Sequence, residues 1–389
     1  MQENREAKDA PPLSEAPEPT MAILPSLAHP TTSPSCALGR DHTSITVSIV
    51  MPTIHWTGTF ETCARRVVEL IDQADTACDF VVVFDGVAES RPPWLDRPDV
   101  TVVETGLRSG PAAARNVAAE VARGRILFFV DADVMLAQDA LDHVLSRFAS
   151  TPDLGGLFGC YDDEPAAPGV VSRFRNLLHH HTHVTHPGRA GSFWAGCGAM
   201  RTPMFLDVGG FDTSFDCPSV EDIELGMRFT AAGGRIELDP TLTCKHLKRW
   251  TLVSMIVTDV WHRAVPWTRM LLAAGDMPAT LNIDRRSRAS GACAMAALGC
   301  LAMAPWYPLA ALFAVAFLAI VIGLNTDFYS LCLRKGGLAF AAGAAVLHLL
   351  YFFYASLTFG VVATWHRVCS SIRPPAWSPQ RRRVPAPRP

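Results

Sequence analysis

Short apolar runs alternate with helix-patterned segments along the first half of the chain, and the runs exit into polar residues. SITVSIVMPTI (44–54) reads as a buried strand ending at Pro52 and Thr53, followed by a helical stretch from about Glu61 to Gln73. DFVVVFDG (79–86) is a second strand with Asp85 at its exit, and VTVVETG (100–106) is a third. GPAAARNVAAEVARG (110–124) enters an Ala-rich helix through Gly-Pro, and RILFFVDADVM (125–135) runs a further strand into Asp131 and Asp133. Short apolar strands separated by helices predict a parallel α/β sheet. Ligands gather at the carboxyl ends of such strands, so Thr53, Asp85, Asp131 and Asp133 are expected on one rim.

A second portion runs from Gly196 to about Pro240. GGFDTSF (209–215) reads as a turn, and SVEDIELGMRFTAAGG (219–234) as a helix with Ser219 at its N-cap. Glu221 and Asp222 fall in its first turn, where the helix dipole favours ionised carboxylates.

The pattern then changes. Residues 248–269 mix Lys248, Arg249, Trp250, Trp261, His262, Arg263, Trp267 and Arg269 with apolar residues, as an amphipathic helix in a lipid headgroup region does. From Ala289 to Thr326 there are 38 positions without a charge, and from Gly336 to Trp365 there are 30 without Asp, Glu, Lys or Arg. A spanning helix needs about 20 apolar residues, so the second stretch crosses once. The first is long enough for two short crossings or one tilted one, and Pro305 and Pro308 favour a tight hairpin. Arg334 and Lys335 then fall in the loop before the last crossing. Arg285, Arg286 and Arg288 place the N-terminal portion in the cytoplasm by the positive-inside tendency. Three crossings put the tail with Arg381, Arg382 and Arg383 outside and two keep it inside; the charge rule prefers two.

Composition adds bounds. The chain has 389 residues, room for one large or two modest domains, and its 49% hydrophobic content is concentrated in the membrane stretches. A net charge of −3 argues against nucleic acid as a partner. The 11 cysteines show no Cys-x-x-Cys spacing, so neither a zinc site nor a disulfide framework is indicated. Residues 1–43 are polar and Pro-rich and read as a disordered arm without a secretory signal.

Side chains at i and i+2 of an extended chain point to one side, so Asp131 and Asp133 can converge on a hard cation, Mg²⁺ or Mn²⁺, with substrate phosphates filling other positions. The competing reading is that they end a strand or cap a helix beginning near Gln138. A dinucleotide-binding turn is excluded: Pro-Thr-Ile-His follows the first strand, and Gly196-x-Gly198 has Arg201 where a third glycine belongs. LLHHHTHV (177–184) and His186 lack a ligand framework and are assigned to a helix or loop facing acceptor or lipid. In FWAGCGAMR (193–201), Gly196 and Gly198 permit close backbone approach, and Trp194 packs on a sugar or on the core.

SIVMPT, VVVFDG, GPAAARN, FVDADV, GGFD and VEDIELGMR, in that order, resemble the inverting glycosyltransferases of family 2 over roughly residues 44–250. The resemblance implies the GT-A fold, the α/β nucleotide-diphospho-sugar transferase fold with a mainly parallel sheet, here followed by interfacial helices and a transmembrane region. It implies a nucleotide-sugar donor, in particular a UDP-sugar. Pro52 and Thr53 then line the nucleoside pocket, Asp85 contacts the base, and Arg115 lies near the diphosphate. Asp131 and Asp133 form the DxD metal pair, with Asp133 the direct ligand. Asp222 is the general base with Glu221 beside it, and Gly196 and Gly198 sit among the donor-sugar and acceptor contacts. CKHLKRWTL (244–252) partly resembles the Gln-x-x-Arg-Trp element of processive synthases, with His246 in place of Gln. His246 then completes the metal or diphosphate site, Arg249 pairs with phosphate, and Trp250 stacks on a sugar.

The expected organisation is a disordered arm (1–43), a GT-A domain (44–246), amphipathic interfacial helices (247–288), a transmembrane region of two or three helices (289–367) and a basic Pro-rich tail (368–389). The expected protein is a multi-pass cell-membrane enzyme with a cytoplasmic catalytic domain, transferring a sugar to a lipid-linked or membrane-associated acceptor. A polysaccharide synthase that exports its glycan and a non-catalytic nucleotide-sugar-binding scaffold are the alternatives.

Overall fold

A computed structural model describes residues 46–88, 90–275 and 281–370. The expected N-terminal arm and most of the basic tail, with Arg381, Arg382 and Arg383, lie outside these residues.

The first half forms the predicted alternation: β1 (Val47–Thr53), α1 (Gly58–Gln73), β2 (Cys78–Phe84), β3 (Val100–Glu104), α2 (Gly110–Val121) and β4 (Ile126–Val130). There follow β5 (Val134–Leu136), α3 (Ala140–Ser150), β6 (Gly156–Tyr161), α4 (Val170–Val184), β7 (Gly188–Ala190), β8 (Cys197–Arg201), α5 (Thr202–Asp207), α6 (Glu221–Ala231) and β9 (Ile236–His246). The strands alternate strictly between two cores. Ile49, Met51, Phe80, Val82 and Phe128 face one with α1, and Val50, Val81, Val83, Leu127 and Phe129 face the other with α2. Period-two alternation with both faces apolar is what a strand covered on both sides requires.

One sheet runs β3-β2-β1-β4-β8-β6-β9-β5, with β7 pairing β9. The β3-β2-β1-β4 portion is parallel, as expected. Beyond it the sheet is mixed, because β8 runs antiparallel to β4 and β6 while β9 runs parallel to β6 and antiparallel to β5 and β7. The reversal of β8 brings its start, Cys197, beside Val130 and the preceding Trp194–Gly196 loop to the rim where Asp131 sits. β9 ends there too, pairing His246 with Val134.

The remaining helices are α7 (Leu252–Val257), a π-turn (Thr258–Ala264), α8 (Val265–Ala274), α9 (Arg285–Met303), α10 (Leu309–Leu324) and α11 (Thr326–Ser370). The turn at 304–308 joins α9 and α10, where the two prolines predict a hairpin. Arg334 and Lys335 are helical rather than in a loop; the break in α11 falls at Gly337, whose φ of 73° needs glycine. Arg173 supports the break, donating to the Lys335 carbonyl at 2.7 Å while its guanidinium lies over Phe340. By length and composition one helix, Thr326–Cys369, is long and apolar enough to cross a membrane, whereas α10 has 16 residues. At 1.5 Å per residue α10 spans about 24 Å, short of a hydrocarbon core of about 30 Å. Phe174, Leu177 and Trp250 pack with Phe328, Leu331 and Phe340, docking α11 on the α/β domain.

Candidate active site

A cleft of about 940 Å³ opens at the carboxyl rim of the parallel strands. Pro52, Thr53, Asp85, Arg115, Asp131, Asp133, Glu221, Asp222 and Arg249 line it, so most of the residues selected from the sequence stand on one wall or another. Lys248, Arg263 and Trp267 reach it from the C-terminal segment.

Asp131 and Asp133 differ from the expected extended pair. β4 ends at Val130, and the Val134 amide donates to the Asp131 carbonyl at 3.0 Å, closing a turn over 131–134. The turn sends the two carboxylates to different partners. Arg115 holds Asp131 at 2.7 Å, while Asp133 faces the His246 Nε2 at 3.6 Å. Burial raises the Asp131 pKa against the pull of Arg115. At Asp133 burial acts the same way, but His246 and Lys248 outweigh it and hold the carboxyl below its usual range. Asp133 is therefore the carboxylate available to a cation. His246 is fixed by stacking on Tyr161, with ring centroids 4.4 Å apart and planes 6° from parallel. Among the described residues no group of three or more His, Cys, Asp or Glu side chains forms a metal cage. His246 itself is buried and not part of the cleft lining; the Asp133 carboxylate on the cleft, with this imidazole 3.6 Å from it, fits Mn²⁺ or Mg²⁺ completed by ligand oxygens.

Arg115 is the hub. It enters on α2 and is 5% exposed. Its second nitrogen donates to Glu221 Oε1 at 3.0 Å, so one guanidinium ties the Asp-x-Asp turn to the Glu-Asp helix. It lines the cleft from a place between two acids, which a forked donor can fill and a lysine cannot. Glu221 is locked on its other oxygen by the Ser219 amide at 2.9 Å. Ser219 is not the N-cap: α6 starts at Glu221, and the Ser219 hydroxyl donates instead to the His262 carbonyl at 2.8 Å.

Asp222 has no cationic hydrogen-bond partner among the described residues. It accepts the Ala195 amide at 3.2 Å and the Ile223 amide at 2.8 Å. Burial, then the Glu221 charge, push its pKa up to about 7. It is a carboxylate poised to take a proton near neutral pH.

Asp85 keeps few free lone pairs. It accepts from the Ser109 amide at 2.9 Å, the Gly110 amide at 3.0 Å and the Thr105 hydroxyl at 3.0 Å, and so fixes the entry to α2. Gly110 has φ +85°, and a Cβ there would stand 2.4 Å from the Asp216 carbonyl, so the 216–219 loop packs directly on this entry. Gly196 and Gly198 do not line the cleft. Added Cβ atoms would meet the Trp194 ring at 2.6 Å and the Trp194 carbonyl at 2.3 Å, so these glycines let the 193–198 segment fold on itself and present Trp194. Trp250 is also off the cleft: it is buried against α4 and α11, with the Lys248 ammonium 4.4 Å over its ring.

The histidines of 179–186 are spread along α4 and just past it. His180 and His183 donate through Nδ1 to the carbonyls of Tyr161 at 2.7 Å and Gly159 at 2.9 Å, pinning α4 to β6. His179 lies on the cleft, its ring 4.1 Å from Tyr161 and 4.6 Å from Trp194; burial, then His183, hold its pKa well below 6.5, so it is neutral. The sequence reading missed Tyr161, whose only signal was an aromatic at a strand exit. It placed Arg263 only in an interfacial stretch.

Residues 48–207 match the profile of Glycosyl transferase family 2. The matched residues lie within the α/β domain, which the helices follow, and the match supports a glycosyltransferase. A curated relative, polypeptide N-acetylgalactosaminyltransferase 4 of Caenorhabditis elegans, is 24% identical over 170 residues, which cover 39% of this chain and 29% of the relative. The match therefore spans less than a third of that relative's length. Among solved structures, the mannosyltransferase PcManGT from Pyrobaculum calidifontis in complex with GDP-Man and Mn²⁺ superimposes with a TM-score of 0.47 at 18% identity, over 85% of this chain and 89% of that one. GalNAc-T7 with UDP, GalNAc and Mn²⁺ gives 0.40 at 17% identity, over 57% of this chain and 49% of that one.

Proposed function

From a glycosyl transferase family 2 domain over residues 48–207, we propose that the protein is a metal-dependent, inverting glycosyltransferase. It moves a sugar from a nucleotide-sugar, read as a UDP-sugar, to an acceptor hydroxyl presented at a membrane surface. The observation that carries the reading is Asp222: a carboxylate on the cleft that also holds Asp131 and Asp133, with a pKa of about 7 and no ion-pair partner among the described residues.

In this mechanism Asp222 takes the acceptor proton as the acceptor oxygen bonds to the anomeric carbon from the face opposite the diphosphate. The bond from that carbon to the diphosphate oxygen breaks with its electron pair, and one displacement inverts the centre. Asp133, with His246 beside it, would hold Mn²⁺ or Mg²⁺, which would stabilise the negative charge growing on the leaving group. Arg115 holds Asp131 and Glu221 in register so that the two acidic elements keep their spacing. Pro52 and Thr53 would face the nucleoside, with Asp85 shaping that pocket through the loop it binds. Lys248 and Arg249 supply positive charge on the Asp133 side of the cleft.

Membrane attachment is part of the proposal. α11 supplies the crossing, the α9–α10 hairpin the shorter apolar element beside it, and Arg285, Arg286 and Arg288 at its base favour a cytoplasmic catalytic domain.

The test is release of nucleoside diphosphate from a panel of nucleotide-sugars by the full chain in nanodiscs containing membrane lipid extract. Metal-dependent turnover of one donor, abolished in Asp133→Ala and Asp222→Asn, supports the reading. Absence of both turnover and donor binding across the panel refutes it.

A further inference from the structure

Arg263 stands on the cleft wall without a counter-ion. It lies on the π-turn Thr258–Ala264, is exposed to the cleft, and makes no hydrogen bond or ion pair among the described residues. The carboxylate one turn back, Asp259, is the natural partner, but it is already taken. Arg175 holds it at 2.5 and 3.1 Å, and the Tyr354 hydroxyl donates to it at 2.6 Å. A π-turn is an irregularity that recurs at functional sites, and this one is anchored on both sides: Asp259 ties it to α4 and α11, and the His262 carbonyl ties it to Ser219 at 2.8 Å. Ser219 belongs to the loop that leads into Glu221 and Asp222.

The anchoring fixes which side of the cleft the cation serves. Lys248 follows His246 and acts on Asp133. Arg263 follows His262, whose carbonyl accepts the Ser219 hydroxyl ahead of Glu221 and Asp222, and it lines the same cleft as Asp222 and His179. A forked guanidinium left unpaired beside the base is suited to a tetrahedral anion.

Resting on the transfer reading above, we infer that Arg263 is an acceptor-side anion contact. The acceptor carries a phosphate group next to the hydroxyl that Asp222 deprotonates. The phosphate belongs either to a lipid headgroup or to a soluble phosphate ester; the chemistry Arg263 recognises is the same.

The experiment measures binding of sn-glycerol 3-phosphate, with glycerol as control, to the full chain in phosphatidylcholine nanodiscs. Nucleoside diphosphate and Mn²⁺ are kept saturating so that the metal side of the cleft is filled. A hydrogen bond to a charged group contributes about 1.5–3 kcal/mol, so R263Q is expected to weaken the ester by roughly tenfold to a hundredfold. R263K should recover part of that loss, and nucleotide binding should be unchanged in both variants, which shows that they are folded. Equal ester binding in R263Q and wild type overturns the inference. So does a loss of nucleotide affinity in R263Q with ester binding intact, since that places Arg263 on the donor side. In a second arm, with phosphatidylglycerol added to the discs and a panel of nucleotide-sugars replacing the nucleoside diphosphate, transfer to the lipid but not to the ester identifies a lipid source, and the reverse a soluble one; either supports the contact. Arg263-dependent ester binding without turnover of any donor keeps the anion site and removes the glycosyl-transfer reading.

Discussion

Replacing Asp222 with asparagine should stabilise the protein while abolishing its activity. In the native state burial and Glu221 hold this carboxyl at about 7, against an ordinary value of 3.8. An acid whose folded pKa is raised favours the native state below its unfolded pKa, and that advantage is lost as pH rises toward the folded pKa. Above pH 7 the ionised native side chain therefore costs about 4 kcal/mol, from about 1.4 kcal/mol per pH unit of displacement. Asparagine removes the charge and keeps the shape. Its amide oxygen can accept one of the two backbone N–H groups that Asp222 accepts, from Ala195 and Ile223. Losing the other costs about 1 kcal/mol, leaving a net gain of about 3 kcal/mol. Thermal unfolding of the pair should show a large gain at about pH 8 that shrinks to near zero at about pH 5. Nucleoside diphosphate release should fall by roughly 10²- to 10⁴-fold, the usual range for a general base. The wild-type rate should climb through pH 7 as Asp222 ionises. A variant that is less stable than wild type at pH 8, or that keeps its rate, refutes the argument; the first result makes Asp222 a structural anion and the second removes it from proton transfer.

Arg115→Ala leaves Asp131 and Glu221 buried without their shared cation and should cost roughly 3–5 kcal/mol in denaturant unfolding; Arg115→Lys should fail to restore it, because one ammonium cannot span both acids. Gly110→Ala forces a side chain into φ +85° and against the Asp216 carbonyl, so a loss of roughly 1–3 kcal/mol is expected, and wild-type stability would contradict the close packing of the 216–219 loop. His246→Ala should weaken Mn²⁺ binding in the presence of nucleoside diphosphate by roughly tenfold to a hundredfold, and Asp133→Ala by more, as read by titration calorimetry; unchanged affinity in both would remove the cation from this corner.

The parallel half of the sheet was legible because its signals are local. A run such as VVVF carries its own direction and exit, so Asp85 and Asp131 could be placed on a rim from the alternation alone. The direction of β8 is a long-range property: CGAMR reads the same parallel or antiparallel, and only pairing with β4 decides that Trp194, not a glycine, reaches the cleft. The turn between Asp131 and Asp133 escaped for a related reason, since Ala132 carries no turn signature and the i, i+2 rule assumes that the strand continues. The long apolar stretches were visible as charge-free runs, but the break at Gly337 was hidden inside one of them, one residue past Gly336.

The acidic pairs show most plainly where local reading stops. Asp131-Ala-Asp133 and Glu221-Asp222 are each recognisable in the chain, and the family resemblance already favoured Asp133 as the metal ligand and Asp222 as the base, but no residue spacing gave the physical reason. The structure divides both. Arg115, reaching from a third element, pairs with Asp131 and Glu221 and leaves Asp133 to face His246 and Asp222 to accept only backbone amides among the described residues. All four line the cleft, and one buried arginine separates each pair into a member it holds in an ion pair and a member it does not. The unpaired cation follows the same logic on the opposite wall: Arg175 satisfies Asp259, and Arg263 is left over. A charge becomes available for chemistry when a neighbour has already claimed its partner. That condition involves three side chains on separate elements, so no spacing along the chain encodes it.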